Sequence, residues 1–309
     1  MRVAFMGTPD FAVPSLQALV AGGHMVAPVV TQPDRPRGRG KKLAFSSVKE
    51  CALSLSLPLL QPEQVRGEEF LASLKSYNPE VAVVAAYGLI LPPAVLSLPH
   101  YGCINVHASL LPQYRGAAPI HRVIINGETL TGVTTMYMDE GLDTGDMILK
   151  KEIPISRTDT VGELHDRLAV AGADLLLETL DLVAEGKAPR IPQAGPSTYA
   201  PMLTVMDELL DWSEPAENIY NRIRGLNPWP GARAYLDGKV LKIWSAVIIN
   251  ETDSQAPPGQ ILGVRQEGLW VNAGEDSLLI TELQFQGAKR LSTAAYLRGH
   301  PAPTGTFKM

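Results

Sequence analysis

The sequence predicts an α/β protein: a Rossmann-like, largely parallel sheet domain followed by a small β-barrel. Three observations carry this. The first half alternates short β-branched runs with stretches of helical apolar spacing, as βαβ units do. Residues 186–201 hold four prolines and two glycines and no apolar periodicity, which marks a linker. Beyond it, short β-type segments recur between Gly, Asn and Asp turns, the punctuation a closed or partly open barrel requires. The division expected is 1–185 for the sheet domain, 186–202 for the linker and 203–309 for the barrel.

Element by element, residues 3–6 read as a strand ending in a turn at Gly7, and 13–20 as a helix that tolerates Pro14 in its first turn. Residues 26–31 form a second strand. Segments 48–55 and 68–77 have helical spacing, and 81–85, VAVVA, is the continuous apolar run of a strand buried on both faces. Further strands are expected at 103–106, 133–138 and 152–155, then a long helix over 161–185. After the linker, 216–224 reads as a helix. The barrel strands are expected at 234–236, 240–249, 260–264, 269–271 and 278–283.

The chain has 309 residues, enough for two cores, with 45% hydrophobic and 19% charged residues. No segment approaches the roughly 20 apolar residues of a membrane span. Met1 leads directly into a strand pattern with no basic leader or small-residue cleavage site, so a cytoplasmic protein is expected. Two cysteines, Cys51 and Cys103, make neither a disulfide framework nor a CxxC metal pair. They read as reduced thiols, and no metal is expected. No isolated apolar stripe demands a partner, which leaves a monomer. The net charge of −5 argues against a polyanionic partner for the chain as a whole. Locally, however, residues 35–42 read RPRGRGKK, five cations without one acid.

Nucleotide-cofactor redox chemistry and NTP hydrolysis are poor candidates. Gly7-Thr8-Pro9-Asp10-Phe11 lacks the G-x-G-x-x-G of a dinucleotide site, its proline removes a donor and its aspartate repels phosphate. No Walker A sequence is present either. The informative run is Asn105-Val106-His107, at the end of a predicted strand, where open α/β sheets bind ligands. In extended backbone, Asn105 and His107 point to one side of the sheet. A Gly-rich acidic loop at 138–146 follows another strand, and a carboxylate from it could reach the imidazole across neighbouring strand ends. A carboxylate beside His stabilises the imidazolium, and an Asn amide donates to a developing oxyanion without adding charge. With no Ser or Cys nucleophile paired to the base, attack by a substrate amine on an acyl carbon is the natural chemistry. Taken singly, each of these residues also suits a turn cap or a buried contact.

The run 105–119, NVHASLLPQYRGAAP, together with Gly141-Leu142-Asp143-Thr144-Gly145, resembles the signature of the formyltetrahydrofolate-dependent formyltransferases. The opening FMGTPDFA, QPDRPRGRGKKL, AAYGLILP and GLNPWPGARA extend the resemblance over essentially the whole chain. The resemblance implies that Asn105, His107 and Asp143 form the catalytic trio. It implies a formylfolate-binding segment at Ser109, Leu110, Leu111 and Pro112, with 10-formyltetrahydrofolate as co-substrate. It further implies a pterin pocket formed by the loop 86–91, with Tyr87, Gly88, Leu89 and Ile90. An apolar slot with approachable backbone at Gly88 suits a flat heterocycle; the alternative for Leu89 to Leu91 is core packing. Phe11 would face the acceptor's side chain. Whether His107 acts as base or electrophile is left open.

For the acceptor, the resemblance implies the amino group of methionine carried on initiator tRNA. Arg35, Arg37, Arg39, Lys41 and Lys42 would contact the acceptor arm from a flexible loop at the carboxyl edge of the sheet. The C-terminal region would be an OB-like barrel supporting the tRNA. That region carries 10 Lys and Arg against 12 Asp and Glu, so any contact there is a local patch. Tyr199-Ala200-Pro201-Met202 departs from the family, where a basic residue usually follows the proline, and this weighs against a linker contact. The residues leave open three rivals: transfer to a small amine such as a nucleotide-linked amino sugar, RNA binding without catalysis, and a folate-dependent hydrolase.

Overall fold

The computed structural model describes residues 1–37, 42–266 and 268–309, and it divides into two compact units. The first comprises 1–119, 130–154 and 165–200; the second comprises 120–129, 155–164 and 201–309.

The first unit begins with β1 (Arg2–Gly7), α1 (Val13–Ala21) and β2 (Met25–Val30). A short ribbon of β3 (Arg35–Arg37) and β4 (Lys42–Ala44) leads to α2 (Ser47–Ser54) and β5 (Leu59–Leu60). Then come α3 (Glu68–Ser76), β6 (Val81–Ala85), α4 (Pro93–Leu96) and β7 (Cys103–His107). Helix α5 (Pro119–Ile125), which past Pro119 belongs to the second unit, precedes β8 (Leu130–Tyr137) and β9 (Met147–Pro154), and α6 spans Val161–Ala184, in the first unit from His165 on. The sheet order is β5-β2-β1-β6-β7-β8-β9. The pairings from β5 to β7 are parallel, and β7–β8 and β8–β9 are antiparallel. The Rossmann-like, largely parallel sheet is therefore present.

Strand parity sorts the core. Val3, Phe5, Val81, Val83, Ile104 and Val106 face α1, α2 and the apolar side of α6, including Leu176, Leu180 and Val183. Ala4, Met6, Ala82, Val84 and Cys103 face the opposite way, toward Phe70 and Leu74 of α3 and Val95 of α4. Asn105 and His107 continue this second face along β7, beyond Cys103. Helix ends follow ordinary chemistry: Ser46 Oγ caps α2 by accepting from the Lys49 N–H at 3.0 Å, and α3 opens on two acids and closes on Lys75.

Several elements differ from the expectations. Strand β9 starts at Met147, five residues earlier than expected, because Lys150, Lys151 and Glu152 obscure its alternation. Such charges are usual on an edge strand, and β9 is the edge. Helices α4 and α5 are too short to show a period. The basic run, expected as a loop, is entered and left through paired backbone, Arg35 opposite Ala44 and Arg37 opposite Lys42. Pro36 is tolerated because the ribbon has only two strands. Arg39 and Lys41 lie outside the described residues. The segment at 186–202 has no helix or strand, but residues 191–200 are bonded along their length to the rest of the first unit, as shown below.

The second unit contains α7 (Ala216–Gly225) and an antiparallel sheet of β10 (Ala232–Leu236), β11 (Lys239–Ile249), β12 (Ile261–Arg265), β13 (Gly268–Asn272) and β14 (Ser277–Phe285). The order is β10-β11-β14-β13-β12, with β15 (Leu291–Ser292) beside β14 and α8 (Thr293–Leu297) after it. The C-terminal tail closes this sheet. On one side Tyr235 and Lys308 exchange backbone bonds at 3.0 and 2.9 Å, which satisfies the edge of β10. On the other, Ile261 N–H donates to Gly305 O and Phe307 N–H to Gly259 O, which satisfies the edge of β12. The expected barrel is thus completed by residues 305–308. Phe307 is 2% exposed and stacks on Trp212 with ring centres 5.1 Å apart. Phe307→Ala should therefore cost about 3–5 kcal/mol. Urea unfolding followed through Trp fluorescence checks this, and a loss below 1 kcal/mol would mean that the tail is not part of the core.

Candidate active site

All of the geometry here lies in the first unit. Asn105 and His107 are 8% and 6% exposed. Their register is set by β8, with Asn105 opposite Met136 and His107 opposite Thr134. Because β8 is antiparallel to β7, the loop 138–146 leaves it beside the start of β7, Tyr137 pairing with Ile104. Asp143 does not come from a neighbouring carboxyl edge, as the sequence suggested. It reaches the pair across the face of the sheet.

The carboxylate of Asp143 is the hub. Oδ1 accepts from Asn105 Nδ2 at 3.4 Å and lies 3.7 Å from His107 Nδ1. Oδ2 accepts from the Gly116 backbone N–H at 2.8 Å. His107 Nε2 is 3.0 Å from the Tyr114 carbonyl, which assigns a hydrogen to Nε2. Nδ1 then faces the carboxylate. Asp143 itself is in the left-handed region, φ 53°, at a cost of about 1 kcal/mol. Gly145 is required two residues on, since a Cβ there would sit 1.8 Å from the Tyr137 carbonyl oxygen.

The segment 109–112 is anchored beneath this hub. Thr134 Oγ1 donates to Ser109 O at 2.7 Å and accepts from Leu111 N–H at 3.2 Å. Ser109 Oγ donates to Gln113 O at 2.6 Å, and Lys150 Nζ donates to Leu111 O. Ser109 and Leu111 are fully buried, and Leu110 and Pro112 are half-buried. In the loop after β6, Leu91 is core, whereas Leu89 and Ile90 are 39% and 65% exposed and Gly88 is exposed. Tyr87 turns its ring inward, and burial pushes its hydroxyl up to about 12. Its carbonyl accepts from Thr8 Oγ1 at 3.1 Å and Gln32 Nε2 at 3.0 Å, tying the ends of β1 and β6 together. That junction, with β2 on one side and β6 on the other, is where the strand order reverses.

Phe11 is 6% exposed and packs edge-on against His165 at 5.6 Å, in the core rather than open to a ligand. Arg35 is exposed. The neighbouring Asp34 is occupied: Lys49 Nζ donates to it at 2.5 Å and Gln61 Nε2 at 2.9 Å, which holds its carboxyl below the usual range. Among the described residues, no group of three His, Cys, Asp or Glu could hold a metal ion, and no helix is long and apolar enough to cross a membrane.

Sequence reasoning missed Tyr114, Arg115 and Gly116, which hold His107 and Asp143 largely through backbone. It also missed the strand-like segment 191–200. Ile191 exchanges backbone bonds with Met147 at 2.9 and 3.0 Å, and Arg115 bonds to Thr198 and Ala200 at 2.9 and 2.7 Å. Backbone bonding leaves no periodicity, and the one signal was that Tyr114, Arg115 and Gly116 lie inside the family-like run 105–119.

With the geometry in place, comparison with known proteins is specific. Residues 1–180 match the formyl transferase family, and residues 202–301 match the formyl transferase C-terminal domain. The methionyl-tRNA formyltransferase of Pelotomaculum thermopropionicum is 57% identical over 305 residues, 99% of this chain and 97% of that protein. The methionyl-tRNA formyltransferase of Moorella thermoacetica is 54% identical over 308 residues, 99% and 98% of the two chains. Among solved structures, an N-formyltransferase from Helicobacter canadensis in complex with folinic acid and dTDP-3-aminofucose has a TM-score of 0.66 at 18% identity, covering 94% of this chain and 99% of that one. HypX from Aquifex aeolicus, in complex with tetrahydrofolic acid, has a TM-score of 0.67 at 18% identity, covering all of this chain and 50% of that one. At such identities these two structures speak to the fold alone.

Proposed function

The chain belongs to the formyl transferase family, and from that premise we propose that it moves the formyl group of 10-formyltetrahydrofolate to the amino group of methionine on initiator tRNA. Formylation of methionyl-tRNA is the activity that its full-length relatives are named for. The observation that carries the assignment of residues is the Asp143 hub, which gathers an amide, an imidazole and a backbone N–H around one carboxylate.

The residues fit a folate co-substrate. Gly88, Leu89 and Ile90 present exposed apolar surface at the carboxyl end of β6, and Leu110 and Pro112 are accessible beside the trio. Ser109 and Leu111 serve by holding that segment in place, and Tyr87 serves through its backbone. When bound, the folate supplies the formyl carbon. Asn105 donates from Nδ2 to the developing formyl oxyanion, and its neutrality avoids an ion pair that would hold the oxygen too early. His107 carries the proton that must leave the attacking α-amine and arrive on the departing folate nitrogen. One C–N bond forms, one breaks, and one proton moves between the two nitrogens. Asp143 stabilises the imidazole while it holds that proton.

The acceptor is supported by the ribbon at 35–44. Arg35, Arg37, Arg39, Lys41 and Lys42 suit phosphate contacts, which position a nucleic acid without reading its sequence. The C-terminal barrel supports the same substrate, and the enzyme works as a monomer in the cytoplasm. The test is formyl transfer from 10-formyltetrahydrofolate to methionyl initiator tRNA, with a nucleotide-linked amino sugar in parallel. Formylmethionyl-tRNA is the expected product. Turnover of the amino sugar alone would replace the acceptor and keep the chemistry, and formate release without an acceptor would make the protein a hydrolase.

A further inference from the structure

Gln193 uses its side-chain amide completely. Nε2 donates to the carbonyls of Asp143 at 2.8 Å and Gly145 at 2.9 Å, and Oε1 accepts from Arg115 Nε at 3.0 Å and Nη2 at 2.6 Å. Two donors and two acceptor positions are all that a primary amide has. Its partners are the two loops that build the trio. On one side is Asp143, in left-handed backbone. On the other is Arg115, flanked by Tyr114, whose carbonyl holds His107, and Gly116, whose N–H holds Asp143 Oδ2. The backbone on either side of Gln193 is pinned as well, by Ile191 against Met147 and by Thr198 and Ala200 against Arg115.

We propose that Gln193 is a positioning residue of the formyl-transfer centre. By clamping the Asp143 backbone to the 114–116 loop, it sets where the Asp143 carboxylate stands relative to His107. This rests on the reading of Asp143 and His107 as catalytic. Gln193 does no chemistry itself, since every polar atom of its side chain is engaged; it acts through Asp143. Only an amide serves, because a carboxylate lacks the two hydrogens and a cation lacks the acceptor for Arg115.

Gln193→Glu keeps the shape and the Arg115 pairing but sets a charge against two carbonyls. With the full chain and both substrates saturating, kcat should fall about 10-fold while both KM values stay within about twofold, because a misplaced catalytic group costs rate and not binding. Gln193→Met, which keeps the length without polar atoms or charge, should give the same split if the glutamate variant proves unstable. The decisive measurement is non-additivity: Gln193→Glu combined with Asp143→Asn should be no slower than Asp143→Asn alone. Wild-type kcat in both Gln193 variants, a rise in either KM beyond fivefold, or a further loss in the double variant would overturn the proposal. Wild-type turnover in Asp143→Asn alone would instead overturn the underlying assignment of the trio, so the two failures are distinguishable.

Discussion

Asn105→Ala should lower kcat by about 100-fold or more, with the KM for methionyl-tRNA nearly unchanged. Its strand neighbours Ile104 and Val106 are apolar and face the opposite side of the sheet, so neither can replace the amide. The oxyanion exists only as the amine adds, so the lost hydrogen bond is one that strengthens in the transition state, and the loss appears in kcat. Removing the amide also strips one donor from Asp143, but Gly116 N–H still holds Oδ2 at 2.8 Å, so the carboxylate stays in place. Single-turnover formylation with excess enzyme isolates the chemical step. Near-wild-type turnover would remove Asn105 from the mechanism, and a loss confined to KM would recast it as a binding residue.

How far the site could be read from sequence depends on the kind of constraint behind each residue. Asn105 and His107 were legible because strand parity alone places positions two apart on one face. Asp143 was legible as a carboxylate in a Gly-rich loop, but its route was not, because the sense of β8 depends on which edge the chain reaches after α5. The bonding of 114–116 to 191–200 runs through backbone atoms and one amide, and neither leaves a period. Gln193 lies 50 residues beyond Asp143, in a stretch whose prolines mark only the absence of helix. The barrel shows the same division: its strands alternate visibly, whereas its closure rests on Phe307 at the end of a Pro- and Gly-rich tail. Tyr87 and Phe11 mark the reverse case. Their motif is a good match, but their rings face the core, so what they offer a ligand is backbone or support.

Asp143→Asn should be the more damaging change, with turnover lowered on the order of 10,000-fold, as when the carboxylate behind a catalytic histidine becomes an amide. The Gly116 N–H requires an acceptor, so the new side chain must turn its carbonyl oxygen that way. Its NH2 group then faces Asn105 Nδ2, from which the native oxygen accepts, and His107 Nδ1. Toward Asn105 this sets donor against donor and turns the oxyanion donor aside. Toward His107 it supplies a hydrogen to Nδ1, and since Nε2–H is already held by Tyr114 O, the ring is fixed as the neutral imidazole. A ring held neutral cannot carry the proton between the two nitrogens, so both halves of the mechanism weaken through one substitution. The fold should survive, because the Gly116 bond is kept and the residue retains its volume. Equal circular dichroism with a kcat within tenfold of wild type would show that the carboxylate is structural, and would return His107 to acting alone.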